Sequence, residues 1–301
     1  MNNQITKTKA EIVSVAFRPK PFENIITVIE QEAKKGGDLF VLPETCLGTE
    51  IILDTDGPQC NAVTCIAKKY GVYIVFPVYR KTAEHPRLNS SIVFDRQGKI
   101  AMIYDKAYPY WSEFDLLPPA APGKEVPVLD TDFGRLGLAV CFDANFPAVF
   151  QAIAEKSARL VLWSSAYSAG TSLQAHAINH NYTVISSTWI PDCVGYDITG
   201  GEIFYRRADN ADDYLISRLT IDMDRSIFHQ NFNIEKRDQL LKNNPEIEMD
   251  TWLEREQWFT LRSKKEGVSV RTLAAQYGME ELSSYKIRSR NQIDAMRGFK
   301  I

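Results

Sequence analysis

The sequence predicts an α/β fold in which helices cover the faces of buried sheets, and two observations carry this prediction. Over about the first 225 residues, apolar and β-branched runs typical of buried strands alternate with segments whose apolar residues recur at helical spacing. The series then occurs twice in the same order: strand, helix, strand, helix, strand and hairpin. This repetition indicates two sheets of similar construction.

The first round begins with the strand "EIVSVAF", and each segment after it carries its own signal. "FENIITVIEQEAKKGG" has helical spacing and ends in two glycines, which stop a helix. The strand "DLFVLPE", the helix "CNAVTCIAKKYG" and the strand "VYIVFPVY" follow. "LNSSIVFDRQGKIAMIYDKAY" is predicted to form a hairpin that turns at Arg96–Gly98.

The second round follows an irregular stretch from Tyr108 to Gly123 that is rich in proline and aromatic residues. Its strand "FGRLGLAVCFD" leads into the helix "PAVFQAIAEKSA", which Pro147 opens. The strand "RLVLWSSA", the helix "SLQAHAINHNY" and the strand "TVISSTW" come next. "GEIFYRRADNADDYLISRLTIDMD" is predicted to close the round as another hairpin.

The character of the sequence changes after Arg225. "NIEKRDQLLKNNPE" and "MDTWLEREQWFTLRSKKEG" are charged and predicted to be helical, without strands. We therefore predict a domain over residues 1–225 and a helical, basic C-terminal extension over residues 226–301. The extension carries large aromatic residues that we expect to pin it to the body or to a neighbouring subunit, namely Trp252, Trp258 and Phe259.

Composition excludes several classes of protein. The chain has 301 residues, 45% of them hydrophobic and 24% charged, as in ordinary globular proteins. A net charge of −3 gives no signal for polyanion binding. No signal peptide is visible and no apolar stretch is long enough to span a membrane, so we expect a cytoplasmic protein without a membrane partner.

The cysteine and histidine content disfavours a disulfide framework and a metal site. The five cysteines are odd in number, and no pair has C-x-x-C spacing. Only four histidines are present, without a ligand cluster. For Cys141, in "GRLGLAVCFDANFP", two interpretations remain: a small buried hydrophobic residue or a nucleophile. Its position at the end of a buried strand is where α/β folds collect ligand sites.

A nucleophilic thiol needs a base or a cation nearby. The histidines, among them His176 and His180 on one predicted helix, show no local pattern that would place one beside Cys141. Glu44 directly follows a strand and a proline, where partial burial suits a carboxylate to general-base work. Lys106 ends a hairpin strand, where its charge can stabilise a thiolate and an oxyanion. Each signal alone is weak, because such residues are more often a surface acid and a solvated lysine.

The order of these three segments resembles the nitrilase superfamily of carbon–nitrogen hydrolases, which carries a Glu–Lys–Cys triad in this order. "KKGGDLFVLPE" is similar to the family's segment ending in Pro-Glu, and "TDFGRLGLAVCFDANFP" to its cysteine segment. "RLVLWSSA" occupies the place of the strand after the cysteine. The resemblance covers about residues 10–225, roughly three quarters of the chain.

The resemblance implies a four-layer α-β-β-α sandwich and cofactor-free cleavage of a non-peptide C–N bond through a cysteine thioester. By analogy, Cys141 attacks the substrate carbon, Glu44 takes the thiol proton and later activates water, and Lys106 and the N–H of Phe142 stabilise the oxyanion. Glu113 loosely matches a second glutamate that many members carry after the lysine, the alternative being a surface carboxylate. The resemblance also implies a small-molecule amide as partner, and the aromatic residues of the extension favour a homodimer or higher homo-oligomer.

Departures from the family pattern bear on the substrate. Ala148 replaces a glutamate after the cysteine, and "HAINH" replaces a later helix motif. "CFD" differs from the "CWE" of true nitrilases and favours amides, while Ala144 and Asn145 stand where carbamoyl-amino-acid hydrolases have arginines. Nitrilase and N-carbamoyl hydrolase activities remain the alternatives. We expect oxyanion and substrate contacts from Phe142, Tyr108, Trp111, Asn145, Trp163 and Ser165, and further aromatic lining from Tyr110, Tyr167 and Trp189, although core and interface packing explains many such aromatics.

The tail supports a hypothesis from another class. The pattern of "VSVRTLAAQYGM" is typical of the first helix and turn of a helix-turn-helix, with Gly278 in the turn. The segment from Arg262 to Lys300 contains nine basic residues and four acidic ones. A tail that binds nucleic acid would carry this excess of positive charge, and so would a basic helix that docks on an acidic neighbouring subunit. The missing third helix and the acidic balance of the whole chain disfavour nucleic acid.

Overall fold

The computed structural model describes residues 7–299. Its strands, numbered along the chain, are β1 (Lys9–Ala16), β2 (Leu39–Val41), β3 (Ile52–Leu53), β4 (Tyr73–Arg80), β5 (Leu88–Phe94), β6 (Ile100–Asp105), β7 (Val128–Asp130), β8 (Arg135–Val140), β9 (Leu160–Ser165), β10 (Thr183–Thr188), β11 (Asp192–Tyr196), β12 (Glu202–Arg207), β13 (Leu215–Asp222), β14 (Ser226–His229), β15 (Ile247–Leu253) and β16 (Trp258–Ser263). The helices are α1 (Phe22–Ala33), α2 (Pro58–Tyr70), α3 (Pro147–Glu155), α4 (Thr171–His180), α5 (Ile234–Asn243), α6 (Val270–Gln276) and α7 (Leu282–Arg297).

The strands form two large sheets and one small one. The first has the order β13-β1-β2-β4-β5-β6, with β3 paired to β4, and the second has the order β12-β11-β10-β9-β8-β7. Each sheet has a parallel centre, made by β1, β2 and β4 in one and by β8, β9 and β10 in the other. The two rounds predicted from the sequence are therefore the centres of two separate sheets.

The two large sheets pack face to face, and helices cover their outer faces. One apolar cluster joins Ile12 and Val75 of the first sheet to Leu138 and Val161 of the second, and it extends to Phe150 on α3. A second cluster lies between the first sheet and helices α1 and α2. The layers are thus helix, sheet, sheet, helix, which confirms the predicted α-β-β-α sandwich.

Buried serines tie the sheets together at the carboxyl ends of their parallel strands. Ser14 donates to the carbonyl of Ser186 at 2.8 Å, and Ser164 donates to the carbonyl of Leu42 at 2.7 Å. A buried hydroxyl needs a partner, and here each finds one on the opposite sheet. The segments that follow β2 and β9 are thereby held next to each other.

The prediction that the segment "GEIFYRRADNADDYLISRLTIDMD" forms a hairpin is wrong. β12 pairs with β11 at the edge of the second sheet, whereas β13 pairs along all eight of its residues with β1 in the first sheet. The connection between them, residues 208–214, is long and polar enough to cross the edge of the sandwich instead of turning tightly. β13 thus closes an edge of the first sheet that would otherwise be open.

The expectation of an extension without strands is also wrong. β14, β16 and β15 form a three-stranded antiparallel sheet, on which α5 and α6 pack. The charges in "IEMDTWL" concealed the strand, because β15 is largely exposed and a register shift between Met249 and Thr251 breaks its alternation. Phe259 is fully buried in this small core, while Trp252 remains 42% exposed.

The extension contacts the body through ion pairs. Arg159 bonds both carboxylate oxygens of Glu281, at 3.1 and 3.2 Å. Arg225 pairs with Asp197 of the body and with Asp250 on β15. These contacts seat the extension beside the ends of the second sheet. Among residues 7–299, none of the helices is long and apolar enough to cross a bilayer.

Candidate active site

Three strand ends carry the side chains that the sequence singled out. Glu44 lies just beyond β2, Lys106 directly follows β6, and Cys141 directly follows β8. β8 runs parallel to β9, and the bond from Ser164 near the end of β9 to the carbonyl of Leu42 after β2 places the carboxyl ends of β2 and β8 at the same edge of the sandwich. The fold therefore brings residues far apart in sequence into one cluster.

Two carboxylates surround one ammonium group in this cluster. Lys106 Nζ lies 2.8 Å from Glu44 Oε1 and 2.5 Å from Glu113 Oε2. Lys106 is 1% exposed, Glu44 4% and Glu113 7%. Glu113 belongs to a 3₁₀ turn, Trp111–Phe114, in the loop after β6, so it lies in the cluster instead of on the surface. Buried charges need partners, and these three supply one another.

Two polar residues of the cluster were missed in the sequence. Asn89 on β5 donates from Nδ2 to Glu44 Oε1 at 2.7 Å and to Glu113 Oε1 at 2.8 Å. The hydroxyl of Tyr79 on β4 donates to Glu113 Oε1 at 2.9 Å. The available signal was an asparagine in "LNSSIVF", a strand buried along its whole length, where an amide requires a specific partner.

Cys141 stands at a sharp bend between β8 and a short 3₁₀ turn. Its φ of 48° is in the left-handed region, which is uncommon for a residue with a side chain. The thiol hydrogen-bonds to the carboxylate of Glu44 and is in contact with the backbone N–H of Ala166. The indole of Trp163 donates to the carbonyl of Cys141 at 3.1 Å, which holds the bend from below.

Asp143 ties this bend to the lysine loop. Its carboxylate accepts from the hydroxyl of Tyr104 at 2.7 Å, from the N–H of Val140 at 2.8 Å and from the N–H of Tyr108 at 3.0 Å. Burial raises the pKa of Asp143 to about 6, although these donors oppose the shift. The bend at Cys141 and the loop after Lys106 are thus held by one carboxylate.

Electrostatics fix the charge state of the cluster at neutral pH. Burial alone would lower the pKa of Lys106, but Glu44, Cys141 and Glu113 raise it well above its usual range. Burial pushes the pKa of Glu113 upward, and Lys106 and the other donors more than reverse this, so it is lowered. Burial and then the charge of Glu44 raise the pKa of the Cys141 thiol. The resting site therefore holds a neutral thiol, a fixed ammonium ion and a fixed Glu113 carboxylate.

An aromatic rim surrounds the cluster. Tyr108 stacks on Phe146 with ring centroids 3.8 Å apart, and Phe142 makes edge contacts with both Tyr110 and Phe146 at 5.2 Å. Trp111 lies against Tyr110 and is 63% exposed. The rim therefore presents apolar rings to an incoming molecule.

The remaining predicted residues occupy different depths. Trp163 and Ser165 are fully buried, and Ser165 Oγ accepts from the N–H of Tyr167. Asn145 is exposed and donates to the carbonyl of Phe142 at 3.3 Å. The indole of Trp189 donates to the carbonyl of Glu44 at 2.5 Å. The site is thus backed on its buried side by Trp163, Ser165 and Trp189. Asn145 lies at its solvent-exposed edge.

The other cysteines and the helix histidines lie apart from the thiol. All five cysteines are free, and Cys46, Cys60 and Cys193 are buried in the core. The ring of His176 contacts the carbonyl of Ala144 at 2.9 Å, so it braces the bend through the backbone. Within residues 7–299, no three His, Cys, Asp or Glu side chains gather as metal ligands would.

Comparison with known proteins gives the family. The family model described as carbon-nitrogen hydrolase matches residues 15–189. Deaminated glutathione amidase of Yersinia enterocolitica is 29% identical over 155 residues, which cover 45% of this chain and 53% of that protein. Formamidase of Pseudomonas syringae pv. tomato is 29% identical over 147 residues, covering 46% and 43%. The chain spans about half the length of the curated relatives it matches.

Solved structures share the fold. Nit3 of Saccharomyces cerevisiae, a member of the nitrilase superfamily, has a TM-score of 0.63 at 18% identity, covering 74% of this chain and 93% of that one. An amidase from Nesterenkonia sp. has a TM-score of 0.60 at 19% identity, covering 81% and 97%. With a family match over more than half of its residues, this chain belongs to the carbon–nitrogen hydrolase family.

Proposed function

We propose that this protein hydrolyses a non-peptide amide to a carboxylic acid and ammonia or an amine, through a thioester on Cys141. The observation that carries the proposal is the convergence of Cys141, Glu44, Lys106 and Glu113 in one buried cluster at the joined ends of the two sheets. A thiol, a carboxylate and an ammonium ion in contact are the parts that acyl transfer requires.

Acylation begins with the thiol in its neutral form. As Cys141 Sγ bonds to the amide carbon, its proton passes to the Glu44 carboxylate, because burial opposes a free thiolate. Negative charge moves to the amide oxygen, which Lys106 and the N–H of Phe142 stabilise. Glu44 then delivers the proton to the nitrogen, the C–N bond breaks, and ammonia or an amine leaves.

Deacylation reuses the same groups. Glu44 takes a proton from a water molecule, and the oxygen of that water bonds to the thioester carbon. Collapse of the second oxyanion breaks the C–S bond, returns the proton to Cys141 and releases the acid. Glu113 takes no proton in either step: Lys106, Asn89, Tyr79 and the N–H of Tyr110 already donate to its two oxygens.

The named relatives support an amide substrate. Formamidases and an omega-amidase are among them, and one structure of the Nesterenkonia amidase shows acrylamide added to its active-site cysteine. The amidase names point to an amide as substrate, whereas the acrylamide adduct, a Michael addition at the alkene, supports only a reactive cysteine. We further propose that the protein is cytoplasmic and that it assembles as a homodimer or a larger homo-oligomer. Sedimentation velocity measures the size of the assembly.

Nucleic-acid binding by the tail is not part of the proposal. Several of its basic side chains are engaged within the protein: Arg290 pairs with Glu155, and Lys286 donates to the Asn181 side chain at 2.7 Å. Further ion pairs of tail residues are Arg262–Glu248, Arg271–Asp224, Arg288–Glu280 and Arg297–Asp294. A surface for phosphates needs free cations, and five of the nine basic residues of this segment are ion-paired, while Lys300 lies outside the described residues.

The decisive experiment measures ammonia release from a panel of simple amides, nitriles and carbamoyl compounds. We expect the wild-type protein to release ammonia from amides. Cys141→Ala should abolish turnover while keeping the wild-type circular dichroism spectrum, and Glu44→Gln should lower kcat at least about 10³-fold, since the base is lost. Wild-type turnover by Cys141→Ala would refute the thioester mechanism.

A further inference from the structure

Asn89 completes a closed ring of hydrogen bonds within the cluster. Lys106 Nζ bridges Glu44 Oε1 and Glu113 Oε2, and Asn89 Nδ2 bridges Glu44 Oε1 and Glu113 Oε1. All four side chains are more than nine-tenths buried. The ring therefore forms away from bulk water, where each bond is strong and each unmade bond is costly.

We propose that Asn89 is a positioning residue for the hydrolysis proposed above, on which this inference rests. Its amide holds the carboxylates of Glu44 and Glu113 at the spacing at which Lys106 can donate hydrogen bonds to both. A single ammonium ion balances only one of the two charges, and adjacent carboxylates repel each other. The two N–H bonds of the neutral amide supply the second bridge between the carboxylates.

The orientation of the amide supports this role. The carbonyl oxygen of Asn89 is buried and has no hydrogen-bond partner among residues 7–299. Turning the amide over would satisfy neither side, because its carbonyl would then face two carboxylates. The fold thus accepts an unpaired acceptor, which costs stability, in order to aim the N–H edge at Glu44 and Glu113.

The same bridge controls the direction of Glu44. Its Oε1 receives Lys106 and Asn89, while its Oε2 receives the N–H of Ala166 at 2.9 Å, and the carboxylate also contacts the Cys141 thiol. Without the amide, only Lys106 still holds Oε1, and the N–H of Ala166 alone opposes a turn of the carboxylate that offers both oxygens to Lys106. That movement takes the base away from the proton it must remove.

The test uses three variants of the full chain. Asn89→Leu keeps the branching of the side chain in a larger volume and has no donor, Asn89→Asp has the same shape and adds a third carboxylate, and Ser91→Ala is the matched control. Ser91 lies two residues further along β5 and is equally buried, and its hydroxyl makes no hydrogen bond within the described residues. The rate of Cys141 alkylation by iodoacetamide is followed from pH 5 to pH 10 by mass spectrometry, with Cys141→Ala as the blank for the exposed Cys65. The kcat and KM of each variant are measured on the amide that the panel identifies.

We expect Asn89→Leu to slow alkylation and to lower kcat by at least about tenfold with little change in KM, because the base is misplaced before chemistry. The acidic limb of its rate profile should move upward by about one pH unit, because Asn89 is one of the donors that lower the pKa of Glu113. Asn89→Asp should lower kcat by about 10²-fold or more and move the limb further. Ser91→Ala should match the wild type.

Folded Asn89 variants with wild-type kcat and a wild-type rate profile would overturn the inference. A fall in rate that follows the folded fraction, with the pH limb unmoved, would also overturn it, since that is a structural effect. If Asn89→Leu does not fold, Asn89→Asp decides alone, because it fills the same volume. Wild-type turnover by Cys141→Ala refutes the proposed function instead, and the alkylation profile still reports on the ring.

Discussion

Replacing Lys106 by methionine removes the cation of the cluster while keeping most of its volume. The change leaves Glu44 and Glu113, 4% and 7% exposed, facing each other without a counter-charge. Removing one partner of a buried ion pair costs about 3–5 kcal/mol, because the remaining charge stays buried. At about 2–4 °C per kcal/mol for a large domain, the melting temperature should fall by about 10 °C.

The pH dependence separates this explanation from a simple packing defect. In the wild type the lowered pKa of Glu113 gives stability that is present above the unfolded value of about 4.3 and is lost as the pH falls through the folded pKa. Without Lys106, burial and the second carboxylate raise the pKa of the pair. The variant should therefore be least impaired near pH 5 and progressively more impaired toward pH 8.

The assay is urea or thermal unfolding of wild type and Lys106→Met at pH 5, 6, 7 and 8. Lys69→Met is the matched control, since Lys69 pairs with Glu30 at the surface and is 61% exposed. Its stability should stay close to that of the wild type at every pH. A Lys106→Met protein with wild-type stability, or with a deficit that does not grow with pH, would refute the buried charge balance.

Two further predictions follow from described side chains. Burial lowers the pKa of His180 to about 4, below the unfolded value of about 6.5, so the stability it gives is present above pH 6.5 and is lost as the pH falls toward 4. His180→Gln should flatten this part of the stability profile in urea titrations, and an unchanged slope would contradict the assignment. Trp111→Ala removes an exposed ring from the rim without opening the core, so KM for the best amide should rise several-fold while kcat and melting temperature stay unchanged. A fall in kcat without a change in KM would contradict a place at the rim.

The sandwich could be predicted from the sequence because its signals are local. Continuous apolar runs identified the parallel strands, and glycine and proline marked where helices stop and start, as with Gly71 after α2 and Pro147 at the start of α3. The strand ends at Glu44, Lys106 and Cys141 were recognisable for the same reason. Their order along the chain, compared with a known family, supplied what no single segment could.

The features that could not be predicted from the sequence depend on contacts between segments that are distant along the chain. Asn89 lies 45 residues from Glu44 and 24 from Glu113, so its two bonds leave no local pattern. The partner of β13 is β1, about 200 residues away, and a hairpin with β12 was the nearer alternative. In the extension, charge on the exposed face of β15 concealed a strand that is stabilised by pairing to β16.

The pairing of β13 with β1 has a consequence for synthesis on the ribosome. The first sheet consists of strands from the first 105 residues and of one strand, Leu215–Asp222, that is made only after the whole second sheet. Until then β1 leaves the ribosome with an unpaired edge, which other chains can join. The first round therefore does not form an independent half: a split of the chain between the two rounds would leave the N-terminal fragment without β13 and the C-terminal fragment with β13 but without the sheet that it joins.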